Sequence, residues 1–217
     1  MMHMDIRIRN EIESDYRAVE EVTREAFWNL YVPGCNEHYL AHVLRNHPDF
    51  IAPLDFVAVF ENRVIGNIMY TKSFLADAVD SAHRLETVMF GTVSVLPEFQ
   101  RRGVGSAIMQ HSIRKAKEYG FNAIVIHGDP HNYCRHGFKS ARDFRISDTE
   151  GRYPYGLLAL VLKEGLLDGH DWRYHYSDVY NVDNNKADEF DKQFARKKKE
   201  FRYTQEVFSI GCRAYLS

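Results

Sequence analysis

Cysteine is scarce in this chain: Cys35, Cys134 and Cys212 are the only three in 217 residues, widely spaced and odd in number. That excludes a disulfide framework and fits reduced thiols in a cytosol. Excess charge of one sign is also missing, the formal net charge being −2. A chain that binds nucleic acid by neutralising phosphates needs a basic field, so a nucleic-acid partner is not expected. No apolar run reaches the length of a membrane span, and the opening residues carry no apolar signal segment. Neither a membrane partner nor secretion is expected, and the expected compartment is cytoplasmic. No internal repeat is visible, which argues against a solenoid.

What is present is core material. Hydrophobic residues make up 45% and aromatic residues 13% of the chain, enough for one sizeable domain over residues 1–164. Residues 165–217 differ in composition and read as a C-terminal extension, too small for an independent core and expected to pack on the domain. A short strand at residues 6–9 precedes a helix expected to start at Ser14 or Asp15, with Tyr16, Val19, Val22, Ala26, Phe27 and Leu30 on one face. A second helix is predicted over 37–46. Residues 56–60 and 64–74 read as strands joined by Glu61-Asn62-Arg63, hence as an antiparallel hairpin. Residues 85–96 form a long β-rich segment, and 123–126 and 157–162 are apolar strands. Residues 189–201 read as an amphipathic segment whose run Arg196-Lys197-Lys198-Lys199 is a solvated helix face.

The most informative stretch is 92–106, TVSVLPEFQRRGVGS. An apolar strand runs through Pro97 into Gln100-Arg101-Arg102-Gly103-Val104-Gly105-Ser106 and then into a helical pattern at Gly105, Ile108, Met109, Ser112, Ile113 and Ala116, with Gly120 as its C-cap. Glycines at 103 and 105 let backbone turn sharply and approach a ligand closely, and the first helical turn presents unpaired N–H groups. Such a terminus binds anions, and Arg101 and Arg102 add positive charge. The order strand, helix, strand around it implies a parallel crossover.

This stretch resembles the signature of the GNAT superfamily of N-acetyltransferases, a strand, a proline, then Gln/Arg-x-x-Gly-x-Gly/Ala opening a helix. A second family element, a tyrosine four residues before Gly-Phe, stands as Tyr133 before Gly137-Phe138. The resemblance implies an α+β (α/β) fold, a GNAT-like mixed central sheet with splayed parallel strands flanked by helices, here with a C-terminal appendage. It implies acetyl-CoA as co-substrate lying between strands 93–96 and 123–126; no metal is expected, since the histidines and cysteine near 127–136 lack zinc-ligand spacing. Backbone groups near Val93 and Val95 would meet the pantetheine arm, with Gln100 at the loop entry. The amides of Arg101, Arg102, Gly103, Val104, Gly105 and Ser106 would meet the diphosphate, with the Ser106 hydroxyl as a further donor. It also makes a homodimer one of the open assembly states.

Acetyl transfer to an amine needs a neutral amine and a proton for the departing thiolate. By resemblance Tyr133 is the acid, the alternative being a core aromatic. Glu86 is the candidate base, the alternative being an exposed strand-end carboxylate; His83, His127 and Asp129 are rivals, with Asp129 also suited to cap a helix at Pro130. His127, His131, Cys134 and His136 have poor zinc-ligand spacing and read as ordinary side chains, with Cys134 a small buried filler. Trp172, Tyr174, Tyr176 and Tyr180 either pack on the domain or rim an acceptor site suited to a cationic amine. The expected function is acetyl transfer from acetyl-CoA to a small-molecule amine in a ternary complex. The alternatives are a non-catalytic acyl-CoA-binding module and acetylation of a protein N-terminus or lysine.

Overall fold

The run Phe56-Val57-Ala58-Val59 has no polar face, and both of its faces are buried. The computed structural model describes residues 4–217. In chain order it contains β1 (Arg7–Asn10), α1 (Tyr16–Phe27), α2 (Glu37–Leu44), β2 (Phe56–Phe60), β3 (Arg63–Asp77), β4 (Arg84–Val95), α3 (Val104–Glu118), β5 (Ala123–His127) and α4 (Pro130–Tyr133). There follow β6 (Lys139–Ser140), β7 (Ile146–Ser147), β8 (Tyr153–Pro154), β9 (Leu157–Val161), β10 (Trp172–Tyr176), α5 (Asn184–Asp191), α6 (Tyr203–Arg213) and β11 (Tyr215–Leu216). The main sheet runs β1-β2-β3-β4-β5-β9-β6, with β10 and β7 joined through β3, while β11 pairs β8 separately.

The expected hairpin is β2–β3. Glu61 and Asn62 both take positive φ, 48° and 63°, which gives the two-residue turn the twist that antiparallel strands require. β3 is longer than the predicted strand because two partners share one of its edges, β2 against residues 63–68 and β10 against residues 73–77. Along its other edge β3 pairs with β4. The register passes from Ile68↔Val93 to Tyr70↔Phe90, so β4 carries one extra residue there and bulges. A buried polar chain crosses this point: Thr23 Oγ1 donates to Asn67 Oδ1, Asn67 Nδ2 to Thr92 Oγ1, and Ser94 Oγ to Thr23 Oγ1, at 3.2–3.3 Å. Each polar atom so buried would otherwise be costly, so the chain fixes how α1 lies over β3 and β4.

Several expectations need correction. Asp15 stands at the start of α1, but its carboxylate caps no helical amide; it accepts from the Ile12 N–H and from Arg9 instead. α1 ends at Phe27, so Leu30 lies beyond it. The basic run is not a helix face. α5 stops at Asp191, and residues 195–202 form no regular structure; tertiary donors hold the backbone, Trp28 Nε1 and Asn29 Nδ2 both donating to the Lys198 carbonyl at 3.0 Å. Three of the four charges of the run are paired, Lys197 with Glu25, Lys198 with Glu200 and Lys199 with Asp188. The segment after residue 164 also does more than pack, since β10 is a strand of the main sheet and buries Trp172 and Tyr174 in its core.

Asp191 at the end of α5 accepts a two-pronged bond from Arg24 of α1, with Nε at 2.6 Å and Nη2 at 3.2 Å, and lies 3.2 Å from His38 Nε2. Arg24 is 3% exposed, so removing its partner strands a buried charge. We expect Asp191→Ala to lower the unfolding free energy by about 3 kcal/mol, measured by urea denaturation.

Candidate active site

β4 and β5 run parallel and share a single register position, Val88↔Ile124. Beyond it they separate, and among the described residues the β5-facing edge of β4 around Val93 has no strand partner. The Val95 carbonyl on that edge accepts from the Gln100 side chain, Nε2 at 3.0 Å, so Gln100 ties the loop back to the strand it leaves. After Pro97 the chain makes one short turn, then passes through Arg101 at φ 58° and Gly103 at φ 88°. Gly103 is the N-cap of α3 and contributes no side-chain cap, leaving the first-turn amides of Val104, Gly105 and Ser106 without a side-chain acceptor. Arg101 and Arg102 are exposed beside this turn.

The two glycines serve different ends. Gly103 needs its positive φ, although a Cβ there would meet nothing within 4 Å. At Gly105 a Cβ would rest in ordinary contact, 3.7 Å from Val95 Cγ2. α3 is then held down by Val104, Ile108, Met109, Ser112 and Ala116, with Ser112 Oγ 2.9 Å from the buried Tyr70 hydroxyl. Gly120, at φ 84°, follows the last turn as expected.

Tyr133 closes the other side of the split. Its ring packs against Phe90 of β4 at 5.5 Å and Phe138 at 5.9 Å between centroids. Phe138 is anchored in the core, and the chain reverses into it through Gly137 at φ 92°. Gly128 fits only without a side chain, since a Cβ there would lie 2.4 Å from Tyr133 Cε2. Asp129 caps the short helix, accepting from the His131 N–H at 3.0 Å. Burial, then the neighbouring Tyr31 hydroxyl and the Asp129 carboxylate, hold the Tyr133 phenol above its ordinary range, so it stays protonated at neutral pH.

Not every candidate joins this group. Glu86 is exposed on β4 before the Val88↔Ile124 bridge, and its carbonyl accepts from Asn122, which precedes β5. Tyr133 lies past the far end of β5, so the fold does not bring Glu86 to it. His83 is at the distant β3–β4 turn, grouped with Asp77 and His170, whose ligand atoms all lie within 4.8 Å of one another. There His170 Nδ1 contacts Asp77 Oδ2 at 2.5 Å, while Asp77 Oδ1 accepts from the Val79 and Asp80 amides. His127, His131, Cys134 and His136 do not converge. Cys134 is exposed, not a buried filler, because the turn after Tyr133 puts it on the outer side.

The aromatic residues of the extension do reach the split. A Cβ at Gly91, in the bulge, would lie 2.5 Å from Tyr180 Cε1, and the Tyr180 hydroxyl is 2.9 Å from Thr71 Oγ1. Tyr176 packs against both Tyr180 and His127, at 6.1 and 5.5 Å. Two residues that the sequence pattern did not single out, Tyr31 after α1 and Glu37 at the start of α2, also have shifted titration. Tyr31 stacks on Phe208 of α6 at 4.3 Å between ring centroids. Burial and the charges of Glu37 and Asp129 push its phenol up to about 12. Glu37 opens α2, and burial raises its carboxyl to about 7. Neither belongs to a motif, so only their position marks them.

The model of the acetyltransferase (GNAT) family matches residues 11–138. The chain belongs to the GNAT acetyltransferase family. It is 28% identical over 86 residues to an uncharacterized N-acetyltransferase, YjhQ, of Escherichia coli K12, a match spanning 40% of this chain and 46% of that protein. Two solved GNAT structures share the fold at 21% identity. One is YhbS of Escherichia coli in complex with CoA, with a TM-score of 0.69 over 84% of this chain and 95% of that one. The other is an acetyltransferase of Brucella melitensis in complex with acetyl-CoA, with a TM-score of 0.62 over 82% and 99%. Among the described residues of this GNAT chain no helix is long and apolar enough to cross a membrane.

The two glycines predict an asymmetry measurable by calorimetric titration with CoA. Gly103→Val, forced into an unfavourable φ, should weaken binding by about tenfold or more, whereas Gly105→Ala should stay within about threefold of the parent.

Proposed function

We propose that this protein transfers the acetyl group of acetyl-CoA to an amine by direct attack in a ternary complex. The observation that carries the reading is the conjunction at one end of the β4–β5 split: an unpartnered strand edge, an amide-lined helix start and a half-buried tyrosine whose phenol is held above its ordinary range. An amide-bearing pantetheine arm supplies donors and acceptors for the edge near Val93, in the manner of an added strand. The diphosphate suits the amides of residues 103–106, supported by Arg101, Arg102 and the Ser106 hydroxyl.

The thioester then lies beside Tyr133. The amine nitrogen forms a bond to the acetyl carbon while the carbonyl oxygen takes the negative charge. Collapse breaks the carbon–sulfur bond, and the phenol gives its proton to the leaving thiolate. The nitrogen releases its surplus proton as the amide forms, which restores the phenol. A non-catalytic acyl-CoA-binding role leaves the half-buried phenol donor without a task, so the enzymatic reading is preferred.

Tyr133→Phe should lower kcat by on the order of 10²- to 10³-fold while acetyl-CoA affinity stays unchanged. The check is CoA release with a panel of amines, alongside calorimetry. Unaltered kcat across the pH range would remove Tyr133 from the proton path.

A further inference from the structure

The β3–β4 turn and the start of β10 bring two imidazoles and a carboxylate into one cluster. Asp77 closes β3, His83 ends the turn and His170 precedes β10, and one ligand atom from each lies within 4.8 Å of the other two. Backbone bonds fix these positions. The Asp77 N–H donates to the His83 carbonyl at 3.0 Å, and the Ala78 N–H donates to the Asp171 carbonyl at 2.7 Å. Asp77 Oδ1 accepts from the Val79 and Asp80 amides at 2.8 and 2.9 Å, which leaves Oδ2 directed at His170 Nδ1, 2.5 Å away. The buried Trp172 is the floor of the cluster. Its ring lies 5.3 Å from that of His83 and 5.1 Å from that of His170 between centroids, and its Nε1 donates to the Leu167 carbonyl at 3.1 Å. The two imidazole rings are 4.8 Å apart. Asp77 is buried, His170 half-buried and His83 exposed, so the cluster opens to solvent at His83.

We propose that Asp77, His83 and His170 bind a divalent transition-metal ion of the zinc class, which clamps the entry of the C-terminal extension to the β3–β4 turn. Two imidazole nitrogens and a carboxylate oxygen are a donor set that such an ion favours, and three protein ligands leave a position for water on the open side. Calcium and magnesium, which take oxygen shells, are disfavoured. An ordinary His–Asp hydrogen bond needs only one imidazole. Here His170 already serves Oδ2, yet His83 brings a second ring to the same point. The two amides on Oδ1 hold the carboxylate in one orientation, the kind of support that a metal-bound carboxylate requires. On binding, the ion replaces the proton between Oδ2 and His170 Nδ1; that proton goes to solvent and Nδ1 gives its lone pair to the metal. Because the ligands come together only in the folded chain, the ion stabilises the junction where β10 joins β3. No spacing motif records the cluster, since Asp77 and His170 are 93 residues apart.

The test is calorimetric titration of the full chain, first stripped of metal with a chelator, with zinc chloride and separately with magnesium chloride. The parent should bind one equivalent of zinc with micromolar or tighter affinity and no magnesium. His83→Gln and Asp77→Asn, the latter keeping an Oδ1 acceptor for the two amides, should each weaken zinc binding by about tenfold or more. At about a hundredfold excess of zinc over its Kd the melting temperature of the parent should rise by about 5 °C or more, and that of His83→Gln by about half as much or less. Zinc binding that both variants retain lies elsewhere and overturns the assignment, as does a parent that binds no zinc or binds magnesium equally well. A further readout needs no variant: the imidazole nitrogen-15 resonances of His83 and His170 should move together up to one equivalent of zinc and then stop. Movement of neither, or of one alone, overturns the proposal even if the variants do not fold. Zinc should also slow amide exchange at Ala78, whose N–H spans to the Asp171 carbonyl; an unchanged rate overturns the clamp.

Discussion

The structure turns on the parting of β4 from β5 after one shared register position. Two parallel strands that diverge leave backbone N–H and C=O groups without partners, a state a folded chain tolerates only where solvent or a ligand can supply them. The extra residue in β4 sits at this point and bends the strand away from its neighbour. Everything that follows along the chain uses the gap: the loop at its mouth starts α3, and the turn after β5 lays Tyr133 across it. The buried polar chain from Thr23 through Asn67 to Thr92 holds α1 over the same bulge, so the irregularity is fixed from both sides of the sheet.

The C-terminal extension is part of that arrangement. β10 fills the stretch of β3 edge that β2 leaves, and the chain beyond it returns along α1, tied by Arg24 to Asp191 and by Trp28 and Asn29 to the Lys198 carbonyl. It therefore places Tyr176 and Tyr180 on one flank of the gap and Phe208, stacked on Tyr31, on the other. Aromatic side chains on both flanks lower the local dielectric, which is why the phenols of Tyr31 and Tyr133 and the carboxyl of Glu37 are all pushed upward.

Local chemistry made much of this readable in advance. The φ of Gly103, the turn at Glu61 and Asn62, the Asp129 cap and the stripe on α3 are each decided within a few residues, and each lies where the residue types require. The readings that failed did so where distant partners override local preference. The segment 195–202 has helical charge spacing, yet the side chains of Trp28 and Asn29, just past α1, take the Lys198 carbonyl and the segment forms no helix. Asp15 has the type and position of a helix cap, yet Arg9 across the turn takes its carboxylate.

By itself, then, the sequence determined the family, the central strands, the helix start that faces the gap and the tyrosine that spans it, because those features depend on short-range spacing and on glycines required by backbone geometry. Only the tertiary structure decided how far Glu86 lies from Tyr133. Glu86 has a suggestive place in the chain, but register sets it on the other side of the Val88↔Ile124 bridge from the end of β5 that leads to Tyr133. Register and burial are properties of an assembled sheet, and no spacing along a chain records them.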